Sequence, residues 1–166
     1  GGDFENIEKA LNHAIDMIEQ GADIIDIGAE STRPGAEYVS KEEELNRLLP
    51  FLKLLRKHSD CPISIDTRKY EVFEQAFNEG ADILNDISAL EDSPQLASFC
   101  ARQKIPVILM HKREKPAVMM QKVCYNDDIA EISAYLKERA DFAIQNGIAK
   151  ERIILDPGIG FSKNFE

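Results

Sequence analysis

Five short apolar runs alternate with five longer amphipathic stretches along this chain, and every run breaks off in a polar tip. The first run sets the pattern. Residues 23–35, DIIDIGAESTRPG, open with Ile24, Ile25 and Ile27 around Asp26, then turn polar and end in Pro34-Gly35. The apolar half suits a strand buried on both faces. The polar half, with both charge signs and a Pro-Gly pair, reads as a loop. The same succession returns at 62–66 (PISID), 83–86 (ILND), 106–110 (PVILM) and 152–155 (RIIL).

Between these runs the spacing is helical. Ile7, Leu11, Ala14, Ile15 and Ile18 share one face of a helix over 5–20, with Gly21 as its stop. Ser40 and Glu43 form a capping box for a second helix reaching about Lys57, with Leu45, Leu48, Leu49, Leu52 and Leu55 inward. His58 belongs to the cationic end of that helix and needs no chemical role. A third helix covers 69–79, with Val72, Phe73, Ala76 and Phe77 inward. A fourth follows Pro94, with Asp92 or Ser93 as its cap. The fifth covers 127–146, with Ile129, Ile132, Leu136, Ala140, Ala143 and Ile144 inward.

The alternation predicts an α/β fold built on a parallel sheet covered by helices. The 166 residues form one domain, 1–166, with no linker or change of composition. An open doubly wound sheet and a (β/α)8 TIM barrel both fit the order of elements. The strand tips favour the barrel. Asp26, Asp66, Asn85-Asp86, His111 and Asp156 all fall at carboxyl ends, and a barrel gathers its chemistry on that face. An open sheet needs ligand groups only near its switch point. No dinucleotide or P-loop glycine pattern is present. Five strands make an incomplete barrel, so the chain reads as part of a longer one with one unit before Gly1 and two after Glu166.

Composition narrows the class of partner. A net charge of −10 argues against nucleic acid, which needs clustered cations. No apolar run approaches a membrane span and no export leader is visible, so no membrane partner and a cytoplasmic location are expected. Cys61, Cys100 and Cys124 show no paired spacing, which suits reduced thiols and disfavours zinc.

DIGAESTRPGA at 26–36, SIDT at 64–67, NDIS at 85–88, ILMH at 108–111 and DPGIGFSK at 156–163 resemble, in order, the motifs of dihydropteroate synthase, a family of pterin-binding enzymes. Gly1-Gly2 is similar to the tail of the family's first-strand motif, whose body is absent. The resemblance implies a transferase of folate biosynthesis with a partial pterin-binding barrel domain. In that reaction p-aminobenzoate displaces pyrophosphate from 6-hydroxymethyl-7,8-dihydropterin pyrophosphate, giving 7,8-dihydropteroate. Asp66 and Asp156 match the pterin-binding acids, and Asn85 can donate and accept along the same ring edge. Ile87, Met110 and Phe161 match apolar residues around the two substrates, with plain core packing the alternative for each. Thr32 and Arg33 match the catalytic loop over the reacting centre, with Pro34 beside them as a substrate contact. Asp26, Glu30 and Asp86 read as partners of loop backbone, and His111 as a supporting residue.

The resemblance also implies Mg2+ and, for the intact parent, a homodimer. The usual magnesium ligand, an Asn on the family's first strand, has no counterpart here, so no metal ligand is assigned in this chain. The pterin-binding Lys and the Arg-x-His pyrophosphate clamp of the last two strands are absent too, and the 166 residues alone are expected to show no turnover. After His111, KREKPAVMMQ departs from the family's Gly-Thr-Pro-like turn, with Glu114 in the glycine's place. Two other readings remain: a methyltetrahydrofolate–corrinoid methyltransferase, which the ESTRPG loop disfavours, and a non-catalytic pterin-binding module.

Overall fold

A computed structural model describes residues 4–30, 38–112 and 127–159, with side chains from residue 7 onward. Helix α1 (Phe4–Glu19) leads into strand β1 (Ile25–Gly28). The chain then repeats as α2 (Lys41–Arg56), β2 (Ile63–Asp66), α3 (Tyr70–Asn78), β3 (Ile83–Asp86), α4 (Gln95–Gln103), β4 (Val107–Met110), α5 (Asp128–Gln145) and β5 (Ile153–Asp156). All neighbouring strands are parallel, and the spatial order is β1-β2-β3-β4-β5. A doubly wound sheet would reverse direction from its first strand; this one runs on in a single sense, as a barrel wall does.

The register sorts side chains into two faces. Ile25, Ile27, Ile63, Ile65, Leu84, Val107 and Leu109 share one face and are buried. They form the core together with Leu48, Leu52 and Leu55 of α2, Val72 and Phe73 of α3, and Leu96 and Phe99 of α4. Asp26, Gly28, Ser64, Asp66, Asn85, Ile108, Met110, Ile154 and Asp156 share the opposite face, the inside of the wall. β1 is therefore buried on one face only, not on both: Asp26 and Gly28 are exposed. β5 carries Ile154 and Leu155 nearly half exposed, because no described element lies beyond it.

Caps follow the local sequence with one exception. The Ser40 hydroxyl accepts from Glu43 N, and the Asp127 carboxylate accepts from Ala130 N. At α4 neither Asp92 nor Ser93 caps with its side chain. The Asp92 carboxylate is drawn instead to Arg68, 2.9 Å away. On α5, Ile129 and Ile144 are exposed rather than inward. That helix packs mainly against β4 and β5 among the described elements, which cover a narrower stripe than its sequence offers. Among the described residues no helix is long and apolar enough to cross a membrane.

Candidate functional site

The carboxyl ends of the strands collect acceptors on the inner face. Asp66 ends β2 and is the lateral neighbour of Asn85 on β3. Asp156 ends β5 and is the neighbour of Met110 on β4. Adjacent parallel strands lie about 4.8 Å apart, so Asp66 and Asn85 are within reach of one small ring edge, with Asp156 about two strand spacings beyond Asn85.

Each group is oriented by a neighbour. The Asn85 amide nitrogen donates to both Asp26 oxygens, at 3.2 and 3.3 Å. The Ser64 hydroxyl makes a short bond to the same carboxylate. With its nitrogen held this way, the Asn85 carbonyl is the acceptor left on the other side of the amide. Asp26 thus orients side chains, and not loop backbone as its position suggested. Asp156 accepts from Gly158 N at 2.7 Å through one oxygen, which leaves the second for a ligand.

Asp66 differs from both. No described group donates a hydrogen bond to it, and its carboxyl is pushed up to about 7. Burial is the main cause; the charges of Asp26, Asp86, Glu44 and Glu30 add to it. Gly28 makes room for it: a Cβ there would lie 3.3 Å from Asp66 Cβ and 3.4 Å from its Oδ2. Gly28→Ala should therefore displace the carboxylate, lowering ligand affinity about tenfold while costing the fold only about 1 kcal/mol. Titration calorimetry beside urea unfolding measures both; a large stability loss with unchanged affinity would contradict it.

Behind these tips stand supporting groups. Asp86 points to the core side and is fully buried. It accepts from Ser88 N, Ser88 Oγ and Leu90 N at 2.7, 2.7 and 2.9 Å. These bonds hold a turn in which Ala89 and Leu90 are left-handed (φ 48 and 68). Arg139 of α5 donates to Ala89 O at 2.8 Å and closes the turn from behind. Ile87 and Met110 are buried, and Met110 is the lateral neighbour of Asp156. His111 is buried with its ring edge-on to Tyr135, and its amide bonds Asp156 O at 2.9 Å, joining β4 to β5. The Cys100 thiol is buried and pushed up to about 12, and Cys61 is half-buried. Thr32, Arg33, Pro34, Phe161, Cys124 and the departure at 113–121 lie outside the described residues.

Sequence reasoning missed a chain of alternating charges. Glu44–Lys69–Glu30–Arg68–Asp92–Lys112 runs through contacts of 2.6, 2.8, 3.3, 2.9 and 3.7 Å. It links α2 to the loops that follow β1, β2, β3 and β4. Glu30 also accepts from Val39 N at 3.1 Å. Burial would raise its carboxyl, but Lys69, Val39 and Arg68 outweigh that and hold it below the usual value. Among the described residues no three His, Cys, Asp or Glu side chains converge on a point where a metal ion would sit. No step is assigned to the implied magnesium.

The family model described as pterin binding enzyme matches residues 1–166, the whole chain. The chain belongs to the pterin-binding enzymes. Among individual members, dihydropteroate synthase of Synechocystis sp. is 46% identical over 166 residues, all of this chain and 57% of that protein. The crystal structure of Yersinia pestis dihydropteroate synthase in a sulfonamide drug complex superposes with a TM-score of 0.91 at 40% identity, over 99% of this chain and 59% of that one. Xanthomonas albilineans dihydropteroate synthase with 4-aminobenzoic acid gives 0.86 at 41%, over 96% and 56%. The chain thus spans a little more than half the length of these three relatives.

Proposed function

We propose that this chain carries the pterin-binding part of a dihydropteroate synthase. The observation that supports it most is the state of Asp66: a half-buried carboxyl without a donor among the described residues, on the face shared by Asn85 and Asp156. A 7,8-dihydropterin presents adjacent N–H donors along one edge, which a carboxylate accepts as a fork. Binding replaces the missing donors and removes the cost of a buried, unpartnered acid. The relatives named above carry the synthase name, and the Xanthomonas structure holds 4-aminobenzoic acid.

With the ring fixed at Asp66, Asn85 and Asp156, the exocyclic CH2–O carbon of 6-hydroxymethyl-7,8-dihydropterin pyrophosphate is offered to the amine of p-aminobenzoate. The amine lone pair forms the C–N bond, the C–O bond breaks, and pyrophosphate leaves with the electron pair. The amine then loses a proton to solvent. The leaving group is good, so the protein's task is alignment and stabilisation of departing charge. Arg33 and Thr32 are the residues proposed for the latter. Pyrophosphate release by the full-length protein, strictly dependent on p-aminobenzoate, is the expected result. A folded protein that binds pterin but releases none would be a binding module, and the synthase reading would fall.

A further inference from the structure

The turn that follows β3 is backbone under strain. Ala89 and Leu90 are consecutive left-handed residues, with φ of 48° and 68°, and neither is glycine. Among the described residues the other non-glycine with positive φ is Lys104, the C-cap of α4. Such a turn persists only where its neighbours hold it, and here it stands at the carboxyl end of a strand that carries a ligand group. Asp86 holds it from within, through Ser88 N, Ser88 Oγ and Leu90 N. Arg139 holds it from outside, with Nε 2.8 Å from Ala89 O. Ala89 is fully buried, and among the described residues Arg139 is the donor that its carbonyl receives. The Arg139 side chain is itself buried, with Cζ 4.5 Å from the centroid of the Phe142 ring, which steadies the guanidinium.

Two features set this bond apart from the ordinary packing of α5. The helix is seated mainly on β4 and β5, so its place does not depend on a bond to the turn after β3, 50 residues away in sequence. The turn also starts at Asp86, the last residue of β3, directly after Asn85. A shift of the turn therefore reaches Asn85 first, while Asp66 and Asp156 stand on other strands.

We propose that Arg139 is a positioning residue for the pterin site: its bond to Ala89 O holds the strained turn, and the turn holds Asn85 at the angle that the ring edge requires. The ligand rests on the pterin-binding reading; the hold on the turn does not. Loss of the bond should loosen the turn and weaken the ligand's contact with Asn85, with Asp66 still in place as the acid that titrates.

Two substitutions in the full-length protein isolate the donor. Arg139→Gln puts an amide nitrogen as many bonds from the backbone as Nε, and Arg139→Met puts a methyl group there. In Arg139→Met, exchange of the Leu90 amide should rise about tenfold or more, and the Kd for 6-hydroxymethylpterin should rise about tenfold. The affinity of that variant should still climb with pH as steeply as in the wild type, at a lower level throughout, because Asp66 is unchanged. In Arg139→Gln both values should stay within about threefold of the wild type. A wild-type Kd in Arg139→Met, equal losses in the two variants, or loss of the pH slope would overturn the proposal. So would an Arg139→Met protein that does not fold, since Arg139 would then serve the fold and not the site. A wild type that binds no 6-hydroxymethylpterin would instead overturn the pterin-binding reading, and Leu90 exchange in the two variants would still decide whether Arg139 holds the turn.

Discussion

Replacing Asp66 by Asn is expected to weaken pterin binding about 100-fold or more and, with no ligand present, to stabilise the fold near pH 8. The two effects have one cause. On the proposed function the carboxylate is the acceptor fork for the ring's N–H edge, and an amide turns one prong into a donor that meets a donor; losses at charged, desolvated hydrogen bonds run to about 3 kcal/mol or more. Without ligand the same carboxylate has burial and four acidic neighbours against it. Its folded value of about 7 lies above the ordinary 3.8. Between those two pH values the folded state holds a proton that the unfolded state has released, so stability falls as pH rises and levels off above 7. Three units correspond to about 4 kcal/mol, which solvent contact at a half-buried site reduces. The Asn variant should lack this decline. Equal denaturation midpoints of wild type and variant at pH 4, with the variant higher at pH 8, would confirm the sign. A variant that is less stable at pH 8 would refute it.

Gly158→Ala should have the next largest effect, on stability and binding together. Gly158 has φ +64, where a side chain is strained, and a Cβ would lie 2.5 Å from His111 O and 3.0 Å from Met110 Cγ. The first contact is with backbone and cannot be relieved by a rotamer change. The chain must instead shift where β4 meets β5, at the bond from His111 N to Asp156 O. Gly158 N is also the donor that orients the Asp156 carboxylate. We expect a loss of about 3 kcal/mol in urea unfolding and of about tenfold or more in pterin affinity. Wild-type values for both would show that the turn after β5 does not set Asp156.

The strand-and-helix order, the five polar tips and their common end were legible because each rests on local pattern. Ile63, Ile65, Val107 and Leu109 read as strand by composition, and Asp66 and Asp156 by standing at strand ends. The capping of α2 by Ser40 was legible for the same reason. Long-range pairing was not. Asp26 gave no sign of which neighbour it would meet, since Asn85 is 59 residues away and arrives only through the sheet register. Asp92 looked like a helix cap because the competing Arg68 lies on another loop. Glu44 carried a signal that went unread: it precedes Leu48, Leu52 and Leu55 at helical spacing, on the buried face of α2. A carboxylate on such a stripe requires a cation from elsewhere, and Lys69 supplies it.

The dependence of pterin affinity on pH, measured calorimetrically in the full-length wild type and in Asp66→Asn, tests the central claim most directly. Affinity in the wild type should climb close to tenfold per unit from about pH 5 to 7, with proton release, and flatten above 7 as Asp66 ionises without help from the ligand. In Asp66→Asn the slope should vanish. A flat wild-type profile, or a variant that binds as tightly as wild type, would show that Asp66 is not the acceptor around which the site is built.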